Sequence, residues 1–330
     1  MLIIILNFKM RYLTASIFSL FISCLEVNDV KTIRLGHGLS TSHSVHKAFV
    51  FMDSVLRVNS GGKMKMKIYP NEQLGTERQC LELLQIGSLD ITKVSSGALE
   101  NFSPITKVLG LPFLFKNRKH SYSILDGPIG REILSETEKY WLKGLAYFDA
   151  GARSFYSKKK PIKTPEDFNG LKIRVMESKI AFDMVKALGA SPTPISYGEL
   201  YTSLQQGVVD GAENNLPSFY LSRHYEVCKY YTLDEHTILP DVLLISMHTW
   251  KTFSYQQKKW FTQAVSESVI EQRKLWAESE KESKKALIAA GVEIIIPDKK
   301  LFSEKTKQII DAFKEDKIMY DLIKRIQNTL

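Results

Sequence analysis

Two arginines mark where chemistry is most legible in this sequence. Arg174 lies in "GLKIRVMES", between Ile173 and Val175, on a segment otherwise apolar enough to be a buried strand. A charge in such a place is expensive unless something pairs with it. Arg153 stands in "DAGARSFYS", near the entry to the same half of the chain. The planar fork of a guanidinium binds a carboxylate through two parallel hydrogen bonds, and burial strengthens the pair. For a single isolated arginine, a surface ion pair is the plainer reading. Asn214, straight after "VVDGAE", donates and accepts at once, which suits a hydroxyl or a carboxylate oxygen. Glu77 is placed either to accept sugar hydroxyls or to complement a helix N-terminus. Tyr197, in "PTPISYGEL", either stacks on a sugar face or packs in a core. "LDEHT", residues 233–237, groups Asp234, Glu235 and His236 as a hinge hydrogen-bond network or as acceptors for ligand hydroxyls.

Little in the chain argues for catalysis. GxSxG, GxGxxG, a P-loop, CxxC and HExxH are all absent. The serines of "VSSG" have no evident base beside them. The seven histidines show no metal-ligand spacing, and the pair His43 and His46 in "HSVH" lacks a third ligand nearby. The expectation is a binding protein with no metal and no cofactor, not an enzyme.

These residues are positioned by elements that the chain spells twice. "LLQIGSLDI", 83–91, returns as "SLQQGVVDG", 203–211, with Leu84, Gln85, Gly87 and Asp90 matching Leu204, Gln205, Gly207 and Asp210. In the first copy Thr76 and Gln79 predict a capped helix, Gly87 its end, and "SLDITKVSS" a strand. "TIRLGHGL" and the half-exposed "KMKMKIYP" are strands around a helix in "TSHSVHKAFVFMDSVLRVNSGG". After the strand "GLAYFDAG" the alternation restarts, with Thr164 as a cap and Pro165 at the first helical position. Two similar α/β lobes follow, each with a β–helix–β repeat. A ligand cleft lies at the carboxyl ends of their strands, beside Ser95–Ser96 and Glu213–Asn214. Residues from Tyr255 to Ala290 contain no proline or glycine and predict one long helix, or two nearly continuous ones, spanning both lobes. The remaining "FSEKTKQIIDAFKEDKIMYDLIKRIQ" reads as amphipathic helix. The expected boundaries are 31–150 plus 240–279 for lobe I and 151–239 plus 280–330 for lobe II.

The length of 330 residues fits two domains, and 44% hydrophobic with 25% charged residues is ordinary for packed globular structure. Residues 1–24 carry Lys9, Arg11, no acid and an apolar run, the pattern of a secretory signal, with Met10 a plausible start. Cys24 after Ser23 is a candidate lipoprotein cysteine; cleavage a few residues later is the alternative. Removing this segment takes two of the 45 basic residues and none of the 36 acids, leaving +7. The lysines are scattered among acids, which disfavours nucleic-acid binding, while a positive field helps recruit an anionic small molecule. Cys80 and Cys228 are expected as buried free thiols.

The segments "YPNEQLGTERQCLELLQIGSLD", "KTPEDFNGLKIRVMES" and "ALGASPTPISYGELYTSLQQGVVDGAENN", with "LPFLF" and "HYEVCKY", resemble the DctP family, the solute-binding proteins of TRAP (tripartite ATP-independent periplasmic) transporters. The resemblance runs from about residue 30 to about 310. It implies a periplasmic binding protein-like receptor, monomeric in most members, that closes on an organic acid. The acid is then passed to a membrane permease driven by a sodium gradient. By position, Arg174 matches the family's principal carboxylate-binding arginine, Arg153 the second arginine, and Asn214 the asparagine supporting it. Glu77 and Tyr197 fall on ligand-contacting positions. His37, Lys47 and Glu235 are assigned to the cleft by placement alone. "GHGLSTSHSVHKA" and "YYTLDEHT" resemble the branch that binds hexuronates such as glucuronate and galacturonate. A C4-dicarboxylate or a keto acid is the alternative ligand, and a signalling receptor the alternative role.

Overall fold

The computed structural model describes residues 30–329; the expectations for the signal segment, Met10 and Cys24 fall outside the described residues. Among the described residues eleven strands form two sheets. They are β1 (Lys31–Gly36), β2 (Met64–Tyr69), β3 (Ile91–Ser95), β4 (Leu142–Phe148), β5 (Ala152–Ser157), β6 (Lys172–Val175), β7 (Ser191–Pro194), β8 (Gly211–Asn214), β9 (Tyr230–Ile238), β10 (Asp241–Ser246) and β11 (Glu293–Ile295). The first sheet has the order β2-β1-β3-β10-β4 and the second β11-β9-β5-β8-β6-β7. In each, the repeat strand pairs with a parallel neighbour, β3 with β1 and β8 with β6. Antiparallel partners lie on its other side, β10 for β3 and β5 for β8. This is the two-lobed α/β architecture expected from the sequence.

Both repeat helices end as their sequences dictate. Thr76 and Gln79 form a reciprocal capping box on helix Glu77–Gln85, and Gly87 follows it at φ +75°. Gly207 at φ +75° ends helix Leu200–Gln206. Thr164 does cap, but its helix is a single 3-10 turn, Pro165–Phe168. Gly170 at φ +78° then turns the chain into β6.

The chain passes between the sheets at residues 149–151, at 239–240 and along one continuous helix, Tyr255–Ala289. The N-terminal half of this helix buries Phe261, Ala264 and Val265 with Phe49 and Met52 of helix Ser44–Asn59. Its C-terminal end buries Leu287 in the core around Tyr156, Phe219 and Tyr231. Between them, fully buried Gln272 grips the first crossover: its Oε1 accepts from Asp149 N at 2.9 Å and its Nε2 donates to Asp149 O at 2.7 Å. A polar side chain buried there is tolerable because both ends of its amide are satisfied.

The C-terminal segment is two helices, Lys299–Asp311 and Lys317–Asn328. The break has a local cause, since Asp316 accepts from Met319 N at 3.0 Å and starts a new helix. The second helix buries Met319, Leu322, Ile323 and Ile326, each worth roughly 1.5–3 kcal/mol. Arg325 pairs with Glu132 at 2.5 Å and His120 Nε2 meets Ile326 O at 3.0 Å, so this helix packs beside the first sheet's helices rather than with lobe II as expected. Cys80 and Cys228 are buried free thiols.

Candidate functional site

Between the sheets lies a chamber with about 580 Å³ of empty space. It opens into a second space of about 450 Å³, and the two share Glu72, Glu77, Arg174, Met176 and Tyr197.

Arg174 reaches the chamber from β6, at the carboxyl end of a parallel strand, and is 3% exposed. Its Nε donates to Ile195 O at 2.9 Å. No acid among the described residues forms an ion pair with it. Burial lowers its pKa from the ordinary arginine value; Tyr156 and Glu213 oppose this, Arg153 adds to it, and burial prevails. Arg153 is the opposite case. Its guanidinium pairs with Glu213 through both Nε and Nη2, and its Nη1 donates to Asn214 Oδ1 at 3.0 Å. Burial works against its charge, but Glu213 outweighs it and the net shift is upward. Asn214 Oδ1 also accepts from Asn215 N at 2.9 Å, which leaves the amide Nδ2 as the group Asn214 can offer to a ligand. One arginine is thus satisfied by the protein and the other is not. An anion placed here would relieve the repulsion between them.

Glu213 is held in turn. His236 Nε2 lies 3.5 Å from its Oε2, and His236 Nδ1 lies 2.7 Å from Asp234 Oδ2. Burial opposes charge on His236, yet the two carboxylates raise it to about 9. Burial likewise opposes charge on Glu213, but Arg153 first and then His236 bring its carboxyl down to about 2. Of the two readings of "LDEHT", the hinge network therefore describes Asp234 and His236.

From the first sheet come Glu77 and Lys93. Glu77 Oε1 accepts from Ser95 N at 3.0 Å and lies 3.4 Å from Lys93 Nζ. Lys93 Nζ also meets Asp241 Oδ2 at 3.0 Å, and both are buried. Burial would lower the lysine, but Asp241 and Glu77 raise it above its usual value, so Lys93 stays charged. Tyr197 lines both spaces, its hydroxyl 2.6 Å from Ser222 Oγ and its ring edge-on to His224.

Three expected residues do not line the chamber. Glu235 sits where β9 leaves register with β5: Asp234 and His236 are buried there, and Glu235 is exposed. There it adopts φ +48°, pairs with Lys299 and lines a separate groove with Phe113 and Arg118. His37 is buried behind the chamber, where its Nδ1 accepts from Leu39 N at 3.1 Å and its Nε2 meets His46 Nδ1 at 3.1 Å. Lys47 is exposed on helix Ser44–Asn59. The sequence reading missed Glu72, Lys93, Asp241, Met176 and Trp276, which all line the chamber, as does His43, which it offered with His46 as a solvated or cleft-facing pair. For Lys93 the signal was present, a charge inside the apolar run "ITKVSS" like Arg174 inside "LKIRV".

The lobes touch at the chamber's mouth. Glu72 Oε1 accepts from Gly198 N at 3.2 Å, Arg78 Nη1 reaches Glu177 Oε2 at 3.4 Å, and Asn101 Nδ2 donates to Glu177 O at 2.5 Å. Gly97 permits this closeness, since a Cβ there would collide with the Met176 sulfur. Among the described residues no group of three or more His, Cys, Asp or Glu could hold a metal, and no helix is long and apolar enough to cross a membrane.

Comparison with known proteins shows the family. The profile of "Bacterial extracellular solute-binding protein, family 7", DctP, matches residues 35–316. The Salmonella typhimurium protein YiiZ is 41% identical over 300 residues, 89% of this chain and 90% of YiiZ. A TRAP periplasmic solute-binding protein from Bradyrhizobium sp. BTAi1, solved with α/β-D-galacturonate, is 43% identical at a TM-score of 0.88, covering 91% of this chain and 100% of that one. One from Chromohalobacter salexigens, solved with D-glucuronate, is 36% identical at a TM-score of 0.87, covering 90% and 99%. The chain belongs to family 7 of the bacterial extracellular solute-binding proteins, the DctP solute receptors of TRAP transporters.

Proposed function

We propose that this receptor binds a hexuronate, D-galacturonate or D-glucuronate, in the periplasm and delivers it as a monomer to the membrane permease of a TRAP system. One observation carries the reading: Arg174 is a buried guanidinium without an acidic partner, facing a chamber between two lobes. A ligand carboxylate would supply the missing charge through a bidentate pair. The Asn214 amide, Glu77 and Lys93 would then take ring hydroxyls, with Tyr197 against the sugar. A C4-dicarboxylate would leave several of these groups unpaired, at about 1–3 kcal/mol each. That relatives at 43% and 36% identity were solved with galacturonate and glucuronate supports the choice of acid. Closure would turn about residues 149–151 and 239–240, bringing 31–150 and 240–279 against 151–239.

A thermal-shift panel tests this directly. It would hold galacturonate, glucuronate, aldonic acids, succinate, malate, pyruvate and sialic acid. At about 100 times its dissociation constant a ligand adds about 2.7 kcal/mol of stability. A shift with hexuronates is expected. A shift with dicarboxylates alone would discard the proposed ligand, and silence with every acid would discard the carboxylate site.

A further inference from the structure

Two buried donors in the chamber lining have no partner among the described residues. His43 caps helix Ser44–Asn59, and its Nδ1 accepts from Val45 N at 3.2 Å. Burial, followed by the charges of Lys93 and Lys47, brings this imidazole down to about 3, so the ring is neutral. In a neutral imidazole, the nitrogen that accepts carries no hydrogen, so the proton sits on Nε2. That Nε2 is fully buried and has no hydrogen-bond partner among the described residues. The Trp276 ring lies 5.9 Å from the His43 ring, and its Nε1 is also buried without a partner. His43 and Trp276 line the same chamber as Arg174. Native proteins seldom leave one such donor unsatisfied, and here two lie side by side.

We infer that His43 Nε2–H and Trp276 Nε1–H form a second subsite for an uncharged oxygen of the bound acid: a hydroxyl, ring oxygen or carbonyl distant from the carboxylate at Arg174. The subsite is donor-only and accepts no proton. Both donors are uncharged, so the subsite itself offers no counter-charge to a second carboxylate buried there. The inference rests on the proposed carboxylate site and names the residues that read the other end of the ligand.

Calorimetric titration with D-galacturonate, D-glucuronate and succinate tests it, on the wild type and on His43→Asn, Trp276→Phe and Arg174→Met. Asparagine at 43 keeps an oxygen to cap Val45 N but cannot extend a donor to where the far edge of the imidazole lies. The expected result is that His43→Asn weakens hexuronate binding about tenfold or more while keeping the unliganded melting temperature. Trp276→Phe, which keeps a ring, is expected to weaken it less. In the wild type, the ¹⁵N resonances of His43 should report the Nε2–H tautomer and shift when hexuronate is added. Wild-type affinity in His43→Asn with unmoved imidazole resonances would overturn the subsite and leave the Arg174 site standing. Tight succinate binding that His43→Asn does not affect would overturn it too. If the wild type binds none of these acids, the proposed function fails, and this inference with it.

Discussion

Asp90 and Asp210 hold the same station in the two halves of the chain. Asp90 Oδ2 accepts from Arg34 N at 2.8 Å, one residue before the register pair Leu35↔Ile91. Asp210 Oδ2 accepts from Lys172 N at 2.9 Å, one residue before Ile173↔Gly211. Each aspartate fastens the parallel neighbour of its own repeat strand, and those strands run on to Ser95 and Asn214 in the chamber. The duplication preserves a way of registering two parallel strands. Asp90 also accepts from Arg34 Nε at 3.0 Å and Thr249 Oγ1 at 2.8 Å, whereas Asp210 adds only exposed Lys159. Asp210→Ala should therefore cost about 1–2 kcal/mol and Asp90→Ala about 2–3 kcal/mol, read from urea midpoints. The reverse order would mean that the side-chain partners of Asp90 contribute little.

Arg174 is a charge held against the stability of the fold. Burial without an acid destabilises the unliganded protein, and the same burial makes a bound carboxylate worth more. Arg174→Met should raise the unliganded stability by about 1 kcal/mol and abolish stabilisation by acids. Arg174→Lys keeps the charge but loses the fork, so affinity should fall about tenfold or more. Calorimetric melts with and without galacturonate separate the two effects. A lower unliganded melting temperature in Arg174→Met would reveal a structural partner for the guanidinium.

Arg174, Arg153, Asn214, Glu77 and Tyr197 were legible in the sequence because each stands at or near the end of an element that the sequence spells clearly. Placement failed where it relied on nearness in sequence alone. Glu235 was judged with Asp234 and His236, but the segment bulges out of register with β5, and Glu235 at φ +48° is exposed where its two neighbours are buried. Lys47 falls outside the buried face of its helix, which is Val45, Ala48, Phe49, Met52 and Leu56, and it is exposed. Trp276 could not have been found from local pattern. Its position in the chamber depends on where a 35-residue helix crosses between the lobes.

The buried histidines divide by sign and set a window of stability. His236 is raised to about 9 by Asp234 and Glu213 against the effect of burial. A raised folded pKa gives stability that is whole below the ordinary 6.5 and is lost as pH rises through about 9. His37, His43 and His224 are lowered to about 3, in each case chiefly by burial. A lowered histidine gives stability that is whole above 6.5 and is lost as pH falls toward 3. Urea midpoints should therefore plateau near neutral pH and fall on both sides. His236→Gln should remove the alkaline limb and leave the acid one; an unchanged alkaline limb would place its cause elsewhere.

Glu100 is the strongest candidate for a contact that holds the lobes together. It is 1% exposed beside the first sheet, and its Oε1 accepts from Lys179 N and, at 3.4 Å, from Ile180 N, at the start of helix Lys179–Leu188 on the other side. The N–H groups and the helix dipole favour its charge, but burial outweighs them and raises the carboxyl above its usual value, and its Oε2 has no hydrogen-bond partner among the described residues. The Arg78–Glu177 pair also crosses the mouth, but its side chains are 59% and 46% exposed, and solvent screens it. Glu100→Ala should therefore shift the unliganded protein toward the open form, seen as a larger radius of gyration in solution scattering. Apparent affinity should fall by the same factor as the closed population, about tenfold for a loss of about 1.4 kcal/mol. Arg78→Ala should change affinity by less than about threefold. Equal effects of the two substitutions would show that closure depends on the number of crossing contacts, with burial of Glu100 conferring no advantage.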